Sequence, residues 1–396
     1  VKRVAYFSPL NPLRSGISDY SEDLLPHLRE HLEIDLFVDR FQPSNESLVE
    51  RFNVLPIELY PGQRWHYDVE LYHLGNNLFH EGIYKTALAY PGVAVLHDYA
   101  LVGLISSMTW AREDFGGFFR EWGYVYGKEG VARARRVLDG QETLPPEEPL
   151  NRRIIDVSLG IIVHSDFVRR QILAVSPRSY VSCVPMPWVS HRPQGLTRQA
   201  ARQNLGLEGG GLYIGSFGFM APSKQVEPLL DALSLLLRHF PNLHLFFVGE
   251  PLSWYDPKPL IVERGLSDHV TVTGYLPMST WYTFISAVDV GVNLRYPTLG
   301  ETSASVLRLM GEGIPTIVSD VGWYAELPED SVVKVGVGEL TGSALCLALV
   351  NLLDDPEQRA QTGERGRKYV ETRHDAHSVA ARYAEILEQV LQRFRL

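Results

Sequence analysis

The stretch YPTLGETSASVLRLMGEGIPTIVSD, from Tyr296 to Asp320, combines residue types suited to holding an anion and a polyol together. It reads as a loop, a helix starting at Thr302–Ser303, a Gly-Ile-Pro stop and a buried strand. The backbone N–H groups of Thr302, Ser303 and Ala304 at such a helix start suit a diphosphate. The loop also carries a carboxylate, Glu301, which would repel phosphate but can accept hydrogen bonds from sugar hydroxyls. Arg308, two turns in, is a candidate cation for a phosphate or carboxylate; the alternative is a structural bridge to a neighbouring acid. Arg295, in NLRYP, is a second candidate cation at the mouth of the same loop.

Other strand ends carry comparable chemistry. In YIGSFGFMAPSKQVEPLLDAL, Gly215 and Gly218 loosen a strand end, Phe219 follows, and Pro222–Ser223 start a helix with Lys224 in its first turn. A lysine there opposes the positive end of the helix dipole, so it is either solvated or shares a phosphate with the helix start. VTGYLP places Gly274, Tyr275 and Leu276 where backbone groups can read the edge of a base. VLHDY puts His97 and Asp98 at a strand's carboxyl end, and histidine readily exchanges hydrogen bonds near neutral pH. In YHLGNNLFH, Asn76 and Asn77 suit sugar hydroxyls, although Gly-Asn-Asn is equally ordinary turn chemistry. His73 and His80 have no nearby acid to complete a metal site, and no metal is expected. In SPLNPLRSGISDYSEDLLPHL, Gly16 allows close backbone approach to a ligand and Ser18 can cap the helix; a plain strand–loop–helix corner explains the same residues. The three-glycine dinucleotide fingerprint is absent here, which argues against a nicotinamide or flavin enzyme.

These residues need elements to position them. Short β-branched runs alternate with amphipathic helical stretches, the pattern of parallel sheets built from βαβ units. The strands expected in the first half are RVAYFS, IDLFVD, VELYHLG, GVAVLHD, GIIVHS and YVSCVP, and in the second LYIGSFGF, LHLFFVG, VTVTGYL, VGVNLR, PTIVSD and SVVKVG. Several are apolar almost throughout, as strands covered on both faces should be. After the fourth expected strand the alternation fails over residues 99–150, which read as an aromatic-rich helical insertion and a Pro/Glu-rich connector. Its aromatics (Trp110, Phe115, Phe118, Phe119, Trp122, Tyr124, Tyr126) suit an acceptor site, a membrane contact or plain helix core. A polar, glycine-rich boundary at 189–207, continuing through GGG, separates the halves.

The expected organisation is a Rossmann-like domain over 1–190, a second over 191–374, and a helix over 375–396 packing back on the first. The 396 residues exceed one ordinary core. Two such α/β domains would face a central cleft at their strands' carboxyl ends, where ligands bind in these folds. The 45% hydrophobic and 21% charged composition is that of an ordinary soluble chain, and the net charge of −10 disfavours nucleic acid as a partner. Two cysteines give no disulfide framework. The chain opens on a strand without a secretory pattern and has no run of about 18 apolar residues, so the expected location is cytoplasmic, with at most peripheral membrane association.

With Lys224, VTGYLP and the Tyr296–Asp320 stretch together, the chain resembles the GT-B-fold glycosyltransferases, specifically glycosyltransferase family 4. The resemblance covers nearly the whole chain in element order and is most specific from Gly218 to Asp320. It implies that Lys224 and Gly218 touch the donor diphosphate, with Phe219 where the family usually has arginine. It implies that His97 contacts the transferred sugar and its phosphate, and that Gly16 lies near diphosphate and acceptor. The family's Glu-x7-Glu signature is displaced: Gly300 aligns with the first acid and Arg308 with the second, which normally grips the ribose. Glu301 lies one residue from the first position, and Glu312 one turn beyond Arg308.

The function implied is a retaining, metal-independent transfer from a nucleotide-diphosphate sugar, a co-substrate rather than a cofactor, to a glycan, lipid-linked or small-molecule acceptor. Catalytic roles fall to His97, Lys224 and Glu301. The donor set is Gly16, Gly218, Phe219, Lys224, Gly274, Tyr275, Leu276, Glu301, Thr302, Ser303, Ala304 and Arg308; the acceptor-side set is Ser18, Asp19, Asn76, Asn77 and Asp98. Two alternatives stand beside it. One is a non-catalytic GT-B-like binding or scaffold subunit, favoured by the altered acid pair. The other is a sugar-nucleotide epimerase, which would need paired acids that the sequence does not display.

Overall fold

A computed structural model describes residues 2–207 and 210–394. Glu208 and Gly209, in the expected boundary, and the last two residues of the expected C-terminal helix lie outside the described residues. Two compact units emerge. One comprises Val1–Pro187, Leu299–Thr302 and Ala376–Leu396, the other Trp188–Thr298 and Ser303–Asp375. Residues 299–302 thus group with the first unit, not with the second half of the chain as the ranges above would have them.

The first unit is built on a parallel sheet of seven strands: β1 (Lys2–Phe7), β2 (Leu32–Val38), β3 (Asn53–Pro56), β4 (Val69–Leu74), β5 (Val93–Leu96), β6 (Gly160–Val163) and β7 (Val181–Cys183). Their order is β3-β2-β1-β4-β5-β6-β7. Helices cover both faces, so β5, VAVL, and β6, GIIV, are buried at every position. Phe7 stacks on Phe37 and Tyr72 at centroid distances of 5.0 and 4.6 Å, knitting β1 to its neighbours on either side. β3 was not expected from the sequence. It is a short edge strand, partly exposed, ending in Pro56, which an edge tolerates because nothing further needs that N–H.

Helix Gly16–Leu28 begins at Ser15, whose hydroxyl accepts from the Ile17 N–H at 3.2 Å. Its buried face, Tyr20, Leu24, Leu25 and Leu28, has helical spacing. The C-terminal helix, Ala376–Arg393, buries Val379, Ala380, Tyr383, Ile386, Leu387 and Val390 on one stripe. Burying each larger aliphatic side chain is worth about 1.5–3 kcal/mol, ample to hold a helix that would be marginal alone. The two helices pack together, and the buried hydroxyls of Tyr20 and Tyr383 meet at 2.6 Å.

The insertion follows the fifth strand, not the fourth, because β3 shifts the count. It contains helices Val102–Met108 and Phe115–Leu138, the latter kinked at Gly127 (φ 63°, ψ −145°). Phe118 and Trp122 are fully buried, and Trp110 and Phe119 pack against the same core. Phe115, Tyr124 and Tyr126 are exposed, and Tyr124 hydrogen-bonds Asp156 at 3.0 Å. No described helix is long and apolar enough to cross a membrane.

The second unit carries a six-stranded parallel sheet, β8 (Leu212–Phe217), β9 (Leu243–Val248), β10 (Val270–Val272), β11 (Val290–Asn293), β12 (Thr316–Ser319) and β13 (Val333–Val335). Its order is β10-β9-β8-β11-β12-β13. Both sheets reverse their winding once, between β1 and β4 and between β8 and β11. Crevices outside the carboxyl ends of such strand pairs are where doubly wound folds bind ligands.

Candidate active site

In the first unit, the end of β5 presents His97, and it is not alone. His97 is buried (7% exposed), with Nε2 3.0 Å from His73 Nδ1. His80 Nδ1 donates to the His73 carbonyl at 2.9 Å, and His164, just past β6, donates through Nδ1 to the Val184 carbonyl at 2.9 Å. Tyr20 sets its ring edge-on to His97 at 4.6 Å. Burial, reinforced by the neighbouring imidazoles, holds the pKa of His73 and His97 well below the usual histidine value; burial alone takes His80 and His164 down to about 4. His97 is therefore neutral at pH 7 and offers a ligand a hydrogen bond, not a positive charge. The sequence reading singled out His97 and set His73 and His80 aside. The signal was present in YHLG, VLHD and IVHS, which put a histidine at or beside three strand ends.

Around this cluster the polar candidates divide. Ser18 does not cap the helix: Ser15 does, and Ser18 is fully buried inside it. The place a Gly16 Cβ would occupy is open, with nothing within 4 Å. Asp19 accepts a 3.3 Å hydrogen bond from Asn11 Nδ2. Asn76 donates its backbone N–H to Asp98 at 2.9 Å and accepts from Leu104 N at 3.0 Å, while Asn77 caps a short 3-10 turn by accepting from Phe79 N at 2.9 Å. Asn76 and Asp98 thus tie the loops after β4 and β5 together, and Asn77 caps a turn within the first of them, the turn chemistry that their sequence equally allowed.

Residues 299–302 rest on this same strand end. The Leu299 carbonyl accepts from Tyr99 N and Ala100 N at 2.8 and 2.9 Å, and Glu301 Oε2 accepts from Leu299 N at 2.6 Å. Gly300 has φ +79°, and a Cβ there would stand 2.4 Å from Tyr99 Cβ. The loop bearing Glu301 is thereby anchored two residues beyond His97.

In the second unit, the ends of β8 and β11 form the other cluster. Gly218 takes φ +98°, and a Cβ on it would lie 3.2 Å from Lys224 Nζ and 3.4 Å from Ser305 Oγ. Lys224 is not in the first turn of an α-helix. It ends a 3-10 turn, Pro222–Lys224, and Gln225 in a left-handed conformation separates it from helix Val226–Leu236. The dipole penalty inferred from sequence therefore does not apply to it; its Nζ donates to the Phe217 carbonyl at 3.1 Å. Helix Ala304–Gly311 starts with Ser303 as its cap, accepting from Val306 N at 3.3 Å. Arg295 donates its backbone N–H to Ser319 Oγ at 2.9 Å and reaches Ser223 Oγ at 3.5 Å. Phe219 and Tyr275 are exposed, Gly274 has φ +72° with open space beside it, and Leu276 packs on the Phe217–Trp281 cluster.

Arg308 is buried with its guanidinium 5.4 Å from the centre of the Trp281 ring. Glu312 accepts from Ser190 at 2.5 Å and Arg192 at 3.2 Å. Besides Ser305 here and His164 in the first unit, two more residues are not among the candidates read from the sequence. Gly249 (φ +152°) lets β9's end press on the Gly218 carbonyl, 2.3 Å from where a Cβ would be. Asn293, last in β11, is 1% exposed, and both amide atoms lack a hydrogen-bond partner among the described residues. A surface depression of about 350 Å³ beside Arg3, Glu33 and Asp35 lies toward the amino ends of β1 and β2, the end of the first sheet opposite to His97.

A strand-end glycine, a lysine and a capped helix start now stand together within residues 212–311. Residues 197–369 match the family of group 1 glycosyl transferases. That segment makes up most of the second unit. Over 180 residues the chain is 27% identical to the alpha-D-kanosaminyltransferase of Streptomyces kanamyceticus, covering 45% of each. Over 309 residues it is 23% identical to the D-inositol 3-phosphate glycosyltransferase of Nocardia farcinica, covering 74% of this chain and 66% of that one. The chain spans about half the length of the first curated relatives it matches, at 45%, 55% and 52%. Among solved structures, HepE of Anabaena in complex with UDP-glucose superposes with a TM-score of 0.72 at 14% identity, covering 98% of this chain and 100% of that one. Sucrose-phosphate synthase from Thermosynechococcus elongatus gives 0.69 at 17%, covering 99% and 100%. At these identities the likeness speaks for the fold, that of the GT-B glycosyltransferases.

Proposed function

We propose that this chain is a retaining glycosyltransferase. It would take a hexose-like sugar from a nucleotide-diphosphate donor and pass it to a hydroxyl of a glycan, lipid-linked or small-molecule acceptor. The reading rests above all on the convergence of Lys224, Ser305 and the Ser303-capped helix start on Gly218 at the sheet's switch point. In this mechanism the bond between the sugar's anomeric carbon and the phosphate oxygen breaks, and negative charge gathers on the leaving diphosphate. Lys224 and the backbone N–H groups at 303–305 stabilise that charge, with Arg295 nearby, and supply the countercharge without a resident metal. The departing phosphate accepts the proton of the acceptor hydroxyl as the new bond forms on the same face. Neutral His97 and the carboxylate of Glu301 are assigned the sugar's hydroxyls. Electrostatic groups of this kind are worth about 10²–10³ in turnover each.

The test is thermal stability against UDP, GDP, ADP, TDP and CDP, with Lys224→Ala in parallel. A ligand of the folded state at a hundredfold excess over its Kd adds about 2.7 kcal/mol. A shift with one nucleotide, lost in Lys224→Ala, is the expected result; no shift with any of them sinks the reading. HepE's complex makes UDP the first to try. A second reading, a non-catalytic GT-B-like binding or scaffold subunit, is favoured by Arg308. It stands where the family has its ribose-gripping acid, and here it is buried against Trp281. Donor hydrolysis or transfer by the purified chain excludes this second reading.

A further inference from the structure

Beyond the strand ends, the first unit brings together a second set of chemically competent side chains. His27 lies near the end of helix Gly16–Leu28, Glu30 just past it, and His377 at the start of the C-terminal helix. One ligand atom from each lies within 4.8 Å of the other two. His377 Nδ1 is 3.4 Å from the Glu30 carboxylate, and the His27 and His377 rings meet edge to face at 4.3 Å. Two imidazoles and one carboxylate are a donor set for a borderline divalent ion such as zinc. Tetrahedral zinc with bonds of about 2.1 Å separates its ligand atoms by about 3.4 Å. The His377–Glu30 spacing already has that value. Both of those side chains are more than half exposed and can adjust, leaving a fourth position for water.

We propose that His27, Glu30 and His377 form a zinc-type site that clamps the C-terminal helix to the first helix of the same unit. The placement favours a cation, because His27 and Glu30 sit at the carbonyl end of their helix, where the dipole is negative. The site is structural, not part of the transfer chemistry, for His27 stands about 16 Å along the helix from Gly16 at a rise of about 1.5 Å per residue. Tyr20–Tyr383 fastens the helix pair at one level, and the ion would fasten it again further along, where the pairing is exposed.

The experiment uses untagged, chelator-treated full chain titrated with zinc against a chromophoric chelator. Cobalt(II) absorption serves as the spectroscopic probe, and hydrogen exchange is followed over 376–393. One bound equivalent is expected, with slowed exchange in the C-terminal helix. His377→Ala and Glu30→Gln, both at exposed positions, should each weaken binding at least about tenfold, since losing even an outer-shell partner costs about 10–100-fold. His66→Ala, an exposed histidine elsewhere, should change nothing. Absence of a stoichiometric equivalent, or unchanged affinity in either ligand variant, overturns the site.

Discussion

Substituting Gly300 and Gly16 by alanine separates a glycine required by the fold from one left open for a ligand. At Gly300 the backbone has φ +79°, and the new methyl carbon would stand 2.4 Å from Tyr99 Cβ, 3.0 Å from Val168 Cγ2 and 3.2 Å from Tyr99 N. Tyr99 cannot easily yield, because its N–H donates to Leu299 and its carbonyl accepts from Asn151 Nδ2 at 2.6 Å. The left-handed conformation costs alanine about 1–2 kcal/mol. The forced shift adds about 1–3 kcal/mol. A mid-range loss of about 3 kcal/mol lowers the midpoint of a unit of this size by about 6–12 °C. Gly16→Ala meets nothing within 4 Å in a helical conformation and should change stability by under about 0.5 kcal/mol. If Gly16 borders the bound donor or acceptor, transfer by Gly16→Ala should nevertheless fall. Scanning calorimetry with and without nucleotide, followed by turnover, reads both variants. A Gly300→Ala protein within about 1 kcal/mol of the parent would refute the anchoring of the 299–302 loop. A strongly destabilised Gly16→Ala would refute the open site.

Other expectations follow from the buried polar groups. His80 and His164, held down to about 4 by burial, stay neutral in the folded chain while the unfolded chain takes up protons below about 6.5. Stability is therefore full above that pH and lost as pH falls from about 6.5 toward 4, by about 2 kcal/mol per histidine at pH 5. Urea melts from pH 8 to 5 should show this slope, flattened in His164→Gln; an equal slope in both would count against the cluster as its source. Asn293→Leu keeps the shape and removes two unpaired buried polar atoms, so it should stabilise by about 1–3 kcal/mol while transfer drops, if a ligand uses the amide. Calorimetry showing a loss instead would mean that the amide is already satisfied. Tyr383→Phe leaves the buried Tyr20 hydroxyl unpaired and should cost about 1–3 kcal/mol, with faster hydrogen exchange in the C-terminal helix.

Much of the fold was legible because parallel sheets covered on both faces demand uninterrupted apolar strands, and stretches such as GVAVLHD and LHLFFVG have no other comfortable use. NVLP escaped for the converse reason. An edge strand half exposed and closed by proline carries little hydrophobic signal. Within the candidate site, Gly218 at a strand end and a helix start at Thr302–Ser303 are readable, since both depend on neighbours in sequence; that Ser303 is the cap is shown by the structure. Ser18 was misplaced as a cap because a serine three residues earlier competes for the same helix start.

What the sequence determined by itself was local: where strands stop, where helices can start, and that the loops after the strands hold polar and charged groups. The environment of each group was decided by the tertiary structure. His73, His80, His97 and His164 come from separate segments, and only the strand order sets them side by side and makes them neutral by burying them. Nothing in the spacing around Arg308 foretells that its guanidinium lies 5.4 Å from the centre of the Trp281 ring, which the packing of helix 304–311 decides. The 299–302 loop reads as part of the second half, yet hydrogen bonds to residues 99 and 100 tie it to the first unit. Charge state and partner depend on burial and on distances between residues far apart in the chain, which spacing along it does not encode.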